Sequence, residues 1–170
     1  MTTTDARTPK VSQIRANARV ELCWWFGGSK VQFRIKGRAM LVGPIEAGGG
    51  AGGEEAKTSL AFADVVDWEA KRREVFDSLT SHMKASWCRP VPGTPLTEDP
   101  RSWPRDVVRF AEVKSEDSED WRNLERALGN FALLVVDPDE VDYVDLGVVP
   151  NRRFRFVLGE KGWEDTEVVA

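Results

Sequence analysis

Between positions 19 and 42 apolar and polar residues alternate with a period of two. Val20, Leu22, Trp24 and Phe26 alternate with Glu21, Cys23 and Trp25. After Gly27-Gly28-Ser29-Lys30 the alternation resumes, with Val31, Phe33, Ile35, Ala39 and Leu41 set against Gln32, Arg34, Lys36 and Arg38. Two such segments across a Gly-rich turn predict a β-hairpin over 19–42, one face apolar and the other polar, which Pro44 ends. Ahead of it, Val11, Ile14 and Ala18 fall at three-to-four spacing. They predict a short helix over 10–18, with Thr8 as its cap and Pro9 at the first helical position.

Farther along, the period lengthens again. Trp68, Arg72, Val75, Phe76 and Leu79 form one stripe of a helix over 67–79, with Asp67 as N-cap. Lys71, Arg72 and Arg73 read as a solvated face whose stems lie along the apolar surface. A second short helix is expected over 81–87. The segment 89–105 holds Pro90, Pro92, Pro95, Pro100 and Pro104 and reads as an extended, irregular connection. Residues 112–120 are acidic and read as mobile, and they lead into a helix over about 117–128 that Gly129 closes. The wholly apolar run from Phe131 to Val136, ended by Asp137-Pro138, reads as a strand buried on both faces. Val141 to Leu146 alternates apolar and acidic, as a strand with one wet face does. Arg153 to Leu158 and Trp163 to Val169 pair across Gly159-Glu160-Lys161-Gly162 as a final hairpin.

About six antiparallel strands with two to four helices define an α+β chain built on a small antiparallel barrel or half-barrel. The 170 residues suit one domain, 1–170, interrupted by a Gly-rich insertion at 47–58. That insertion lacks the Gly-Lys-Ser/Thr ending of a phosphate loop. A net charge of −4 and a pI near 5.2 exclude a basic nucleic-acid surface. Cys23 and Cys88 read as reduced thiols, at least one of them buried. One histidine, His82, and no CxxC pair leave no metal site and no hydrolase signature. With no apolar leader and no spanning segment, a cytoplasmic protein without membrane contact is expected.

The candidate chemistry lies at the start. Thr4-Asp5-Ala6-Arg7-Thr8-Pro9-Lys10 sets hydroxyls and cations at a helix N-terminus beside a sheet with a polar face, which suits an anion or cofactor. The plainer reading is an exposed start and a capped helix.

In order, Thr4-to-Val11, Arg19-to-Phe26, Gln32-to-Val42, Leu133-to-Tyr143 and Asn151-Arg152-Arg153 leading to Trp163 resemble the motifs of the pyridoxamine 5′-phosphate oxidase-like, FMN-binding split-barrel family. The resemblance runs from Thr4 to the C-terminus and breaks at the Gly-rich insertion and in the Pro-rich middle. It implies a mainly antiparallel split β-barrel with flanking helices, and a homodimer with FMN at the subunit interface. Thr4, Thr8 and Lys10, with Arg7 between them, then match the phosphate-contacting positions, and Gln32 matches a glutamine that reaches the flavin ring. Arg153 matches an arginine over the flavin from the partner subunit, and Tyr143 stands near an aromatic position. The alternatives are a solvent-facing strand residue for Gln32 and a surface charge for Arg153.

Family members carry further strands and a helix ahead of the first motif, so the resemblance implies an incomplete barrel with an uncovered sheet edge. The region of the classical substrate-phosphate cluster is here Trp87-Cys88-Arg89-Pro90-Val91-Pro92-Gly93, which does not match it. The implied activity is that of a flavin-dependent oxidoreductase acting on a small molecule, with no catalytic side chain designated, since the flavin carries the chemistry. The alternative is a degenerate split barrel that binds a ligand or a partner without catalysis.

Overall fold

The structure is a computed structural model and describes residues 1–44 and 66–170; the Gly-rich insertion at 47–58 lies outside them. Six strands, β1 (Thr2–Asp5), β2 (Arg19–Phe26), β3 (Val31–Val42), β4 (Phe131–Asp145), β5 (Arg152–Gly159) and β6 (Gly162–Val168), follow the open order β2-β3-β4-β5-β6, with β1 also paired to β4. Among the described residues four α-helices accompany them: α1 (Pro9–Ala16), α2 (Trp68–Ser78), α3 (Ser81–Ala85) and α4 (Glu119–Asn130). The α+β class with an open antiparallel sheet is as the patterning predicts. The chain forms two compact units, Met1–Ala16 with Met40–Val135, and Asn17–Ala39 with Val136–Ala170.

The first unit holds the helical core. Phe76, Phe131, Leu124, Leu133 and Met40 are fully buried there. The Phe131 ring stands edge-on to Trp87 at 5.0 Å and to Phe76 at 5.3 Å. Removing each such side chain from water contributes about 1.5–3 kcal/mol. Asp67 caps α2 by accepting from the Ala70 N–H at 2.9 Å, as expected. Arg72 departs from the solvated face assigned to it. It is 4 % exposed, pairs with Glu69, and donates from Nη1 to the carbonyls of Leu128 and Phe131 at 2.8 and 2.9 Å.

Those carbonyls explain a second correction. Gly129 does not close α4; the helix runs through it to Asn130 and passes directly into β4 at an extended Phe131. The last carbonyls of a helix need donors; that of Leu128 accepts from the Phe131 N–H and also from Arg72, where a glycine cap was expected. At the other end, Ser118 caps α4 by accepting from the Trp121 N–H. Lys84 is also buried. Desolvation pulls its pKa below the ordinary value, and its ammonium donates to the Val108 carbonyl at 2.9 Å.

The second unit carries the hairpins. Its β2–β3 register sets Trp25 opposite Gln32, Cys23 opposite Arg34 and Glu21 opposite Lys36. Lys30, at φ 55°, takes the left-handed position in the turn between them. The two strands predicted at 131–136 and 141–146 are one, because β4 continues through Asp137-Pro138. Proline's fixed φ is compatible with extended backbone. Gly37 lets β3 approach closely there, since a Cβ on it would stand 2.0 Å from the Asp137 carbonyl oxygen. In the final hairpin, Gly162 turns the chain at φ 115°.

Candidate functional site

The four candidates at the start of the chain all lie in the first unit, around the turn from β1 into α1. The turn is fixed by its own hydrogen bonds. The Thr8 hydroxyl donates to the Asp5 carbonyl at 2.8 Å, and the Ala6 N–H donates to the Asn130 carbonyl at 2.8 Å. The Thr8 hydroxyl gives its proton to the turn, and Thr8 stands directly before Pro9, the first residue of α1, as expected. Thr4 is buried in β1 opposite Ala132, and its carbonyl accepts from the Trp87 indole.

Arg7 is turned inward. Its Nε and Nη2 donate to the two carboxylate oxygens of Asp5 at 3.0 and 2.7 Å, and Nη1 donates to the Arg89 carbonyl at 3.0 Å. A carboxylate already neutralises this guanidinium. Lys10, in the first turn of α1, is exposed and has no ion-pair partner among the described residues. The structure thus separates the roles that the sequence left together: Arg7 braces the turn, and Lys10 is its free cation. A dianionic phosphate fits that donor set through the ammonium and the positive end of the helix dipole.

Gln32 and Arg153 lie in the second unit and share one face of its sheet. Strand alternation puts Gln32, Arg34 and Lys36 on that face, and the β4–β5 register adds Glu140, Asp142, Arg153 and Arg155. Opposite charges interlock across it. Lys36 and Arg155 both reach Glu140 at 2.9 Å, and Arg153 grips Asp142 from Nε and Nη2 at 2.9 and 2.6 Å. Arg34 Nε donates to the Gln32 side-chain oxygen at 3.2 Å, and the amide NH₂ is not part of that bond. The bidentate hold on Arg153 uses its Nε and Nη2 and leaves Nη1 out of the pair. Tyr143 stands on the opposite face, in a row of rings with Phe33 at 5.1 Å and Phe154 at 6.1 Å.

Asp142 and Arg34 are the residues that the sequence reading passed over. Val141 to Leu146 was expected to wet its acidic face, yet Asp142 is only 7 % exposed. The hydrogen bonds from Arg153 are the main cause of its lowered pKa, and the charge of Arg34 adds to it. The available signal was the i, i+2 spacing of Gln32 and Arg34 and of Glu140 and Asp142, which lines charges of both signs along neighbouring strands.

Glu140 is pulled down from the ordinary 4.5 to about 2, first by the hydrogen bond from Arg155 and then by that from Lys36. A carboxylate depressed in the folded state stabilises the fold above its unfolded pKa. That contribution disappears as pH falls from about 4.5 to about 2. Urea unfolding at about pH 5.5 and about pH 3 should therefore show a smaller acid loss in Glu140→Gln than in the wild type. Equal losses would remove Glu140 from the acid response.

An open antiparallel sheet in this strand order, with helices packed in its first unit, is a split-barrel architecture. Comparison with known proteins gives the same answer. The family model for the FMN-binding domain of pyridoxamine 5′-phosphate oxidase matches residues 1–43. Pyridoxine/pyridoxamine 5′-phosphate oxidase 2 of Arabidopsis thaliana is 25% identical over 171 aligned residues, covering 97% of this chain and 69% of the relative.

Two solved structures share the fold. A pyridoxamine 5′-phosphate oxidase-related, FMN-binding protein from Nostoc punctiforme superposes at TM-score 0.63 with 20% identity, over 99% of this chain and 71% of that one. PhzG from Burkholderia lata, in complex with tetrahydrophenazine-1-carboxylic acid, superposes at 0.59 with 11% identity, over 99% and 67%. Together these findings show a chain with the split-barrel fold that is similar to pyridoxamine 5′-phosphate oxidase-like, FMN-binding proteins. The segment matched by the family model contains both the Thr4–Lys10 turn and Gln32. Among the described residues, no helix is long and apolar enough to cross a membrane, and no group of His, Cys, Asp or Glu is arranged to hold a metal.

Proposed function

We propose that residues 1–170 form one FMN-binding split-barrel domain that works as a cytoplasmic homodimer and as a flavin-dependent oxidoreductase on a small molecule. The observation that carries this reading is the match of an FMN-binding family model to the stretch that holds the opening turn and Gln32. When bound, FMN supplies the redox chemistry by accepting a hydride equivalent. The chain's own residues bind and orient. Lys10 meets the phosphate with its free ammonium, and the N-terminus of α1 adds a favourable dipole. Thr4, Thr8 and Arg7 hold the turn in shape for it. Gln32, its oxygen occupied by Arg34, donates its amide protons to the ring edge. Arg153 of the partner subunit, held by its own Asp142, offers its Nη1.

A second copy also has a surface to cover. Trp24, Trp25 and Phe26 are 59%, 49% and 40% exposed, and the Trp24 and Phe26 rings stack at 5.2 Å. A cluster of exposed aromatic rings is the composition of a protein interface.

Lys10→Ala should weaken FMN binding by about 1.5–3 kcal/mol, or roughly 10- to 150-fold in Kd, through loss of a charge-assisted contact. Fluorescence titration of FMN against both proteins measures it, and equal affinities would take Lys10 out of the site. Light scattering at micromolar concentration should give the mass of two chains, and Trp24→Glu should shift it toward one. A wild-type monomer under those conditions contradicts an interface cofactor.

A further inference from the structure

Two adjoining cavities open in the first unit, beside the Pro-rich segment that the sequence reading treated as a plain connection. One, of about 470 Å³, is lined by apolar side chains that include Trp87, Val91, Pro95 and Leu96. The other, of about 490 Å³, is polar, with Arg7, Glu98, Arg126 and Asn130 in its wall. Arg89, Pro90 and Trp103 line both, so the two are arms of one depression. Each arm falls within the size range of small-molecule sites. Trp103 is held at the junction, its indole N–H donating to the Glu98 carboxylate at 3.1 Å.

The charges define what fits. Asp5 and Arg7 neutralise each other in their bidentate pair. The side chains of Arg89 and Arg126 have no ion-pair or hydrogen-bond partner among the described residues. Glu98 offsets one of them, so the depression keeps one net positive charge, next to an apolar arm with a fixed indole. We propose that it is a binding site for a small planar aromatic monocarboxylate, its ring in the apolar arm beside Trp103 and its carboxylate on the Arg89 guanidinium, with Arg126 beyond. One surplus charge suits a monoanion better than a phosphate dianion, and a guanidinium matches a carboxylate with two parallel bonds. The site is built from the first unit alone, and it stands whether or not the flavin reading holds.

Cinnamate is a suitable probe, with cinnamyl alcohol as its neutral analogue and inorganic phosphate as the competing anion. Titration of the whole protein, followed at the tryptophan indole N–H resonances by NMR, should show saturable binding of cinnamate with Trp103 among the shifted signals. Binding should weaken about tenfold or more for the alcohol and for Arg89→Gln. Arg126→Gln, on the exposed side of α4, is the second variant, should Arg89→Gln fail to fold, and it should weaken cinnamate in the same direction. Phosphate should not displace cinnamate. The inference is overturned if Trp103 does not respond, if acid and alcohol bind alike, if every variant that folds binds as the wild type does, or if phosphate competes effectively.

Discussion

Arg72→Met is expected to destabilise the protein by about 2–5 kcal/mol. Methionine keeps most of the buried stem but none of the donors. In the folded chain, the Arg72 guanidinium is paired with Glu69 and also donates to the carbonyls of Leu128 and Phe131, where α4 becomes β4 without an intervening loop. Removing it takes a buried charged donor from both carbonyls; the Leu128 carbonyl keeps the Phe131 N–H, and a buried carbonyl left without its donor costs about 1–3 kcal/mol. Glu69 is itself part-exposed, so it can be hydrated once its partner is gone. Urea denaturation of the variant and the wild type gives the difference directly. A loss below about 1 kcal/mol would mean that the α4–β4 junction does not depend on Arg72.

Gly37→Ala is expected to cost about 3 kcal/mol or more, among the larger effects a single methyl can have. The added carbon would fall 2.0 Å from the Asp137 carbonyl oxygen and 2.8 Å from the Pro138 Cα, both backbone atoms that no rotamer change can move aside. Strand β3 must then separate from β4 at that point, beside the Lys36–Glu140 pair and one strand away from Arg153. The expected readout is a lower urea midpoint together with altered amide signals for residues 36–38 and 137–140. A variant as stable as the wild type would show that the two strands do not approach as closely as described.

The hairpins and the capped helix α2 were legible because their signals are local. A period of two on either side of a Gly-rich turn and an aspartate ahead of an apolar stripe depend on a few neighbouring residues. What escaped the sequence depended on partners far along the chain. Arg72 sits among charged residues, and nothing nearby shows that its guanidinium reaches the carbonyl of Leu128, 56 positions on. Asp137-Pro138 looks like a strand end until Gly37 is set beside it. Asp142 reads as wet until Arg153 covers it. The candidate site divides in the same way. Lys10 and Gln32 were named from motif order, and the structure shows a free ammonium and a held amide. The inward turn of Arg7 and the orienting parts of Arg34 and Asp142 come from three-dimensional pairing, which no spacing rule states.

Whether this chain holds FMN is read by incubating the purified protein with FMN, removing the free flavin by gel filtration, and recording the visible spectrum of the protein peak. A yellow species at the mass of two chains is expected, with a flavin band at about 450 nm and about one FMN per chain. A colourless protein peak, with all the flavin recovered in the small-molecule fraction, would contradict it.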